Sequence, residues 1–158
     1  HSRTNCQYMK ARVETWLNNI ENGKIRSKTE RILDCIIRHG AKGISTDEMR
    51  TKLGIAHQTL TGVLSVLNDS GTIQVIGTHQ NLGSSNVYSI YEFVSDPHDR
   101  LKLQHYRERE KVLLWLKKGI VDYEHFCSPL VRNVLYENYN KIKKQPIAEP
   151  IQLTLFNE

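Results

Sequence analysis

Ile44-Ser45-Thr46-Asp47-Glu48-Met49-Arg50-Thr51-Lys52-Leu53-Gly54-Ile55-Ala56-His57-Gln58-Thr59-Leu60 is the stretch from which the rest of the chain can be read. Ser45 or Thr46 suits a helix cap, and Asp47 and Glu48 suit the positive end of a helix. A short helix is therefore expected through Leu53, with Met49 and Leu53 turned inward. Gly54 ends it, because glycine accepts the left-handed backbone found at helix C-termini. From His57 to Asn68 a second helix is expected, since Leu60, Val63, Leu64 and Leu67 recur at three- and four-residue spacing. Ser70-Gly71 closes it. Two helices joined by a tight glycine turn form a helix-turn-helix unit.

Upstream, Ser27-x-x-Glu30 has the form of a capping box, and Ile32, Leu33, Ile36 and Ile37 continue as a helix to Gly40. Gly43-Ile44-Ser45 reads as a short extended connector. Downstream, residues 72–76 and 86–91 read as strands around a Gly, Ser and Asn rich loop at 77–85, which gives a two-stranded hairpin. The block 27–95 resembles winged helix-turn-helix domains, particularly a type frequent among small phage and bacterial proteins. The residues that carry the resemblance are Ile44-Ser45-Thr46-Asp47-Glu48-Met49, Leu53-Gly54-Ile55, the helix through Leu67, Ser70-Gly71-Thr72-Ile73 and Val87-Tyr88. The fold class expected is mainly α with a small β hairpin, a winged helix-turn-helix flanked by N- and C-terminal helices.

The flanks divide by composition. Residues 1–26 hold an amphipathic helix with Met9, Val13, Trp16, Leu17 and Ile20 on one stripe, stopped near Gly23. Residues 96–144 form a helical appendage. Its long charged helix, 101–118, has an apolar edge at Val112, Leu113 and Leu116. Its second helix starts at Ser128-Pro129 and runs through Val131, Val134, Leu135 and Tyr139 to Lys141-Ile142-Lys143-Lys144. These stripes need burial, and a homodimer through the flanking helices is one way to supply it. Residues 145–158 are expected to be an extended partner-binding tail.

Composition narrows the function classes. The 158 residues carry a net charge of +5, which permits a polyanionic partner such as double-stranded DNA. No apolar run is long enough to span a membrane and no signal peptide pattern is visible, so a cytoplasmic location in a bacterial or phage-infected cell is expected. Cys6, Cys35 and Cys127 are odd in number and widely spaced, which suits reduced structural thiols. No metal, cofactor or catalytic site is expected. The histidines lack a His-x-x-x-His pattern, with His57, His79 and His98 in turns or caps. His125-Phe126-Cys127 has no second ligand pair, and Asp122 with Glu124 reads as a charged loop. The tyrosines sit mostly at periodic positions, which favours core and helix-interface roles.

The winged-helix resemblance implies that the helix beginning at His57 enters the major groove, with His57, Gln58, Thr59 and Thr61 facing base edges. Gln can bond adenine bidentately, and a Thr methyl can touch the thymine methyl. Lys24, Arg26, Lys28 and Arg31, then Arg50 and Lys52, and the basic run 141–144 could hold the phosphate backbone. Between His57 and Gly71, and in the loop 77–85, there is no Lys or Arg, so this surface should hold DNA weakly by itself.

At the C-terminus Gln152, Leu153, Thr154, Leu155 and Phe156 resemble the Gln-Leu-Ser/Asp-Leu-Phe peptide by which bacterial replication and repair proteins dock on the sliding clamp. The resemblance implies that Leu153, Leu155 and Phe156 fill an apolar pocket with Gln152 at its rim. Thr154 keeps a hydroxyl and adds a methyl. The other reading of the same residues is a strand whose Ile151, Leu153 and Leu155 alternate on one face. The function expected is a non-enzymatic winged-helix adaptor that docks on a sliding clamp and acts in replication or transcription. The alternatives are a dimeric sequence-specific transcriptional regulator and a clamp-blocking inhibitor of host replication.

Overall fold

The computed structural model describes residues 2–122 and 128–145, and it divides the chain into two compact units, His1–Arg100 and Leu101–Glu158. In chain order the elements are α1 (Ser2–Glu21), α2 (Lys28–His39), β1 (Ile44–Ser45), α3 (Thr46–Leu53), α4 (His57–Asp69), β2 (Ile73–Gln80), β3 (Val87–Phe93), α5 (Pro97–Asp122) and α6 (Pro129–Lys144). The fold is mainly α with a small sheet, a winged helix-turn-helix with helices before and after it.

Local chemistry starts α2 where the sequence places it. The Ser27 hydroxyl accepts from the Glu30 N–H at 3.1 Å, and the Glu30 carboxylate accepts from the Ser27 N–H at 3.2 Å, a complete capping box. The same carboxylate accepts from the Arg26 N–H at 2.6 Å and from the Asn19 amide at 2.8 Å, so one buried side chain ties the end of α1 to the start of α2. Burial raises the Glu30 pKa, yet these hydrogen bonds and the Arg26 charge outweigh it and hold the carboxyl below its ordinary value.

The core of the first unit is built from one face of each helix. Ile32, Leu33 and Ile36 of α2 meet Met49 of α3, Leu60 and Leu67 of α4, and Ile44 and Ile73 of the sheet, all essentially without solvent contact. Burying each such side chain contributes about 1.5–3 kcal/mol. Val13 and Trp16 of α1 join this core, with the Arg12 guanidinium 5.1 Å from the Trp16 ring centroid. The α1 stripe is thus covered within its own unit, against α2.

The sheet departs from the expected hairpin in two ways. Residues 44 and 45 form a third strand, with Ile44 opposite Tyr91 and Ser45 opposite Ile90, so the order is β1-β3-β2. Gly43 makes this approach feasible. Its φ is +70°, and a Cβ there would lie 2.8 Å from both Ile76 Cδ1 and Ile90 Cγ2. The hairpin is also longer than expected, because a bulge between Val75 and Gly77 lets pairing resume to Gln80 opposite Val87. The wing loop is therefore 81–86, and His79 lies in a strand rather than a turn.

α6 has the extent the sequence implied, whereas α5 begins at Pro97, before the unit boundary at Arg100, and is longer than the 101–118 expected. The His98 N–H donates to the Asp96 carboxylate at 2.7 Å, which favours a helix start at Pro97. Pro129 opens α6, but Ser128 makes no side-chain cap, against expectation. At the other end of α6, Arg109 donates to the Lys143 carbonyl at 2.8 Å. Leu116 is buried, whereas Val112, Leu114, Trp115, Leu130, Val131 and Val134 are exposed. Tyr106 and Tyr136 are exposed as well, so the core role expected of the tyrosines does not hold for these two. Gln152, Leu153, Thr154, Leu155 and Phe156 lie outside the described residues, as do Glu124, His125, Phe126 and Cys127.

Candidate nucleic-acid interface

Three helices of the first unit begin differently, and the difference locates the candidate interface. Serine caps α2, and Ser45 caps α3 by accepting from the Glu48 N–H at 3.2 Å. At α4 the N-cap is Ala56, which has no side chain to accept from the first N–H groups. Those donors, at the positive end of a thirteen-residue helix, remain available to an outside acceptor. The turn before them is made by Gly54, left-handed at φ 62° and ψ 31°, whose N–H donates to the Arg50 carbonyl at 3.0 Å.

Leu60, Leu64 and Leu67 bury one face of α4. The opposite face is exposed at His57, Gln58, Thr61, Gly62, Ser65 and Val66, while Thr59 is half-buried at the boundary. Three of the four expected base-facing side chains are therefore presented to solvent together. The Thr61 hydroxyl donates back to the His57 and Gln58 carbonyls, both at 3.1 Å, so its methyl is what the helix offers outward.

The cations divide into two groups. Lys24, Arg26, Lys28 and Arg31 are exposed, and Arg31 donates to the Leu53 carbonyl at 3.3 Å, which brings Arg31 beside the helix-turn-helix turn. Arg50 and Lys52 are engaged. Arg50 pairs with Asp47 and Lys52 with Glu48, each at 2.9 Å, and Lys52 Nζ also lies 2.9 Å from His39 Nε2. The hydrogen bond from Lys52 lowers the Glu48 pKa against a smaller rise from burial. Lys141, Lys143 and Lys144 fall in the last turn of α6, in the second unit.

From residue 53 to residue 99 the sequence contains no Lys or Arg. Its four carboxylates stand away from the start of α4 and from the wing loop. Asp69 ends α4, Glu92 pairs with Gln74 at 2.6 Å near the base of the hairpin, and Asp96 and Asp99 flank the start of α5. The start of α4 and the wing loop accordingly carry no Lys, Arg, Asp or Glu of their own and are rich in hydrogen-bonding groups.

The wing is tied to α3. Asn81 donates to Asp47 at 3.0 Å, its carbonyl lies 2.8 Å from His79 Nε2, and Gln80 donates across the loop to the Ser84 carbonyl at 2.7 Å. Beneath this bridge is a cleft of about 430 Å³ lined by Lys42, Ser45, Asp47, Thr51, His79 and Asn81 among others. Sequence spacing alone missed the bridge, which joins residues 34 positions apart. Burial raises the pKa of the Cys35 thiol, which makes it a poor nucleophile. Among the described residues no three His, Cys, Asp or Glu side chains converge as a metal site, and no helix is long and apolar enough to cross a membrane.

No protein-family model matches the chain, and no curated protein matches it. A solved structure described as a transcriptional regulator is similar over 85% of this chain and 88% of that chain, at 13% identity and a TM-score of 0.39.

Proposed function

We propose that the first unit is a non-enzymatic duplex-DNA-binding module that contacts the major groove through the exposed face of α4. The observation that carries this is the uncapped start of α4, where free backbone donors stand beside exposed His57, Gln58 and Thr61 and next to the Arg31 side of the turn. In this reading Gln58 and Thr61 read bases, while Lys24, Arg26, Lys28 and Arg31 hold phosphates. Arg50 and Lys52 contribute less, because each shares its charge with a carboxylate. The module would serve a sequence-specific transcriptional regulator.

The test is selection of a duplex from a random pool, followed by fluorescence anisotropy on the winning sequence. Gln58→Ala should weaken that duplex by about 1–3 kcal/mol and leave unrelated duplex unchanged. Failure of the wild-type chain to bind any duplex at low salt would end this reading.

A second reading is favoured by one sequence observation, the Gln152-Leu153-Thr154-Leu155-Phe156 peptide. Here the chain is an adaptor whose tail docks on a bacterial-type sliding clamp, so that the module meets DNA, a polymerase or a helicase component at high effective concentration. Occupation of the clamp pocket without a productive partner would make the same chain an inhibitor of replication. Calorimetric titration into a bacterial clamp, beside a Leu155→Ala, Phe156→Ala double variant, decides it. Saturable binding lost in the variant supports docking, and no binding to the cognate host's clamp removes it.

A further inference from the structure

The exposed face of α4 holds a residue that folding does not require. Gly62 lies in the interior of the helix, its φ is not positive, and a Cβ built there meets nothing within 4 Å. Alanine would fit without a contact and would favour the helix, so glycine at this position weakens α4 with no return in packing. Gly43 and Gly54, by contrast, have positive φ, at 70° and 62°.

The surroundings of Gly62 point to close approach from outside. Gln58 stands one turn before it and Ser65 and Val66 one turn after, all exposed, and no charged side chain lies among them. The neighbouring Thr61 turns its hydroxyl back into the helix. A helix surface that is low and neutral at its centre, with hydrogen-bonding groups before and after, suits a partner surface that comes within van der Waals distance of the backbone.

We propose that Gly62 is a positioning residue at which the α4 backbone lies directly against the base edges in the major groove. The inference rests on the reading of α4 as a duplex-contacting helix. A methyl at residue 62 would hold the helix off the groove floor. Gln58 would then be drawn beyond hydrogen-bond range, since N–H···O bonds weaken quickly past about 3.2 Å.

The experiment compares the full chain with Gly62→Ala and with Gly119→Ala, a glycine of α5 that also faces open space. Each is measured by anisotropy on a duplex selected by the wild type, and wild type and Gly62→Ala are also compared by thermal melting. Gly62→Ala should melt about 2–4 °C higher and bind the selected duplex at least about tenfold more weakly, while Gly119→Ala binds as the wild type does. Wild-type affinity in Gly62→Ala overturns the inference alone, as does a lowered melting temperature in that variant, which would make Gly62 structural. A wild-type chain that selects no duplex overturns the reading of α4 itself, which separates the two failures.

Discussion

Salt dependence is the sharpest test of which charges hold DNA. Each phosphate neutralised by a cation adds about −0.9 to the slope of log affinity against log salt on duplex DNA. The exposed cations proposed to hold phosphate and not paired with a carboxylate are Lys24, Arg26, Lys28 and Arg31. The slope should therefore lie near −3.6, and affinity should fall about 150-fold between roughly 50 and 200 mM salt. Glu48→Gln would release Lys52 from its 2.9 Å ion pair and make the slope steeper by about one contact, or 0.9. Anisotropy on a labelled duplex across a salt series measures both values. A wild-type slope steeper than about −6 would refute the argument, because these four cations together with Arg50 and Lys52 could not supply it. An unchanged slope in Glu48→Gln would show that Lys52 stays away from phosphate.

Two further outcomes test the scaffold. Glu30→Gln should lower stability by about 2–3 kcal/mol in a urea titration, since the charge-assisted bonds to Arg26, Ser27 and Asn19 weaken together. Because the folded pKa of Glu30 lies below its ordinary value of 4.5, its contribution is present above pH 4.5 and lost as pH falls through the folded value. Wild type should accordingly lose stability faster than Glu30→Gln below that pH, and parallel acid titrations would sink the assignment. Gly43→Ala should cost about 1–3 kcal/mol, because the new methyl meets Ile76 and Ile90 at 2.8 Å on a left-handed backbone. A melting temperature equal to wild type would show that β1 is not held against β3 as described.

What the sequence disclosed was local, and what it hid was long-range. The Ser27 and Glu30 cap, the Gly54 turn and the α4 periodicity each depend on residues within a few positions of one another, so spacing reveals them. Ile44 and Ser45 are too few to announce a strand, and they become one only by pairing with Tyr91 and Ile90. The bulge at Ile76 broke the alternation by which the length of β2 would have been read. Among the candidate site residues, Asp47 with Arg50 and Glu48 with Lys52 stand at the three- and four-residue spacings where helix side chains meet. The offset of both cations was therefore legible in the chain. The approach of Arg31 to Leu53 across 22 positions was not.

A neutral reading face has a consequence for how such a module would find its site. Non-specific affinity comes almost wholly from phosphate contacts, so a surface with about four of them should hold random duplex with a Kd near 10⁻⁴ M at physiological salt. Little DNA would be bound at ordinary protein concentrations, and steering toward DNA would be slight. A tether changes this. If the Gln152-Leu153-Thr154-Leu155-Phe156 peptide docks on a ring encircling DNA as proposed, an effective concentration of about 1 mM exceeds that Kd roughly tenfold. Base contacts at Gln58 and Thr61 would then choose the position. Removing residues 152–156 should leave affinity for free duplex unchanged and abolish the enhancement seen when clamp is loaded on the same DNA. Equal binding with and without loaded clamp in the chain that retains residues 152–156 would refute the tether. The untethered module would then need a high-affinity base sequence, the outcome that the duplex selection reads directly.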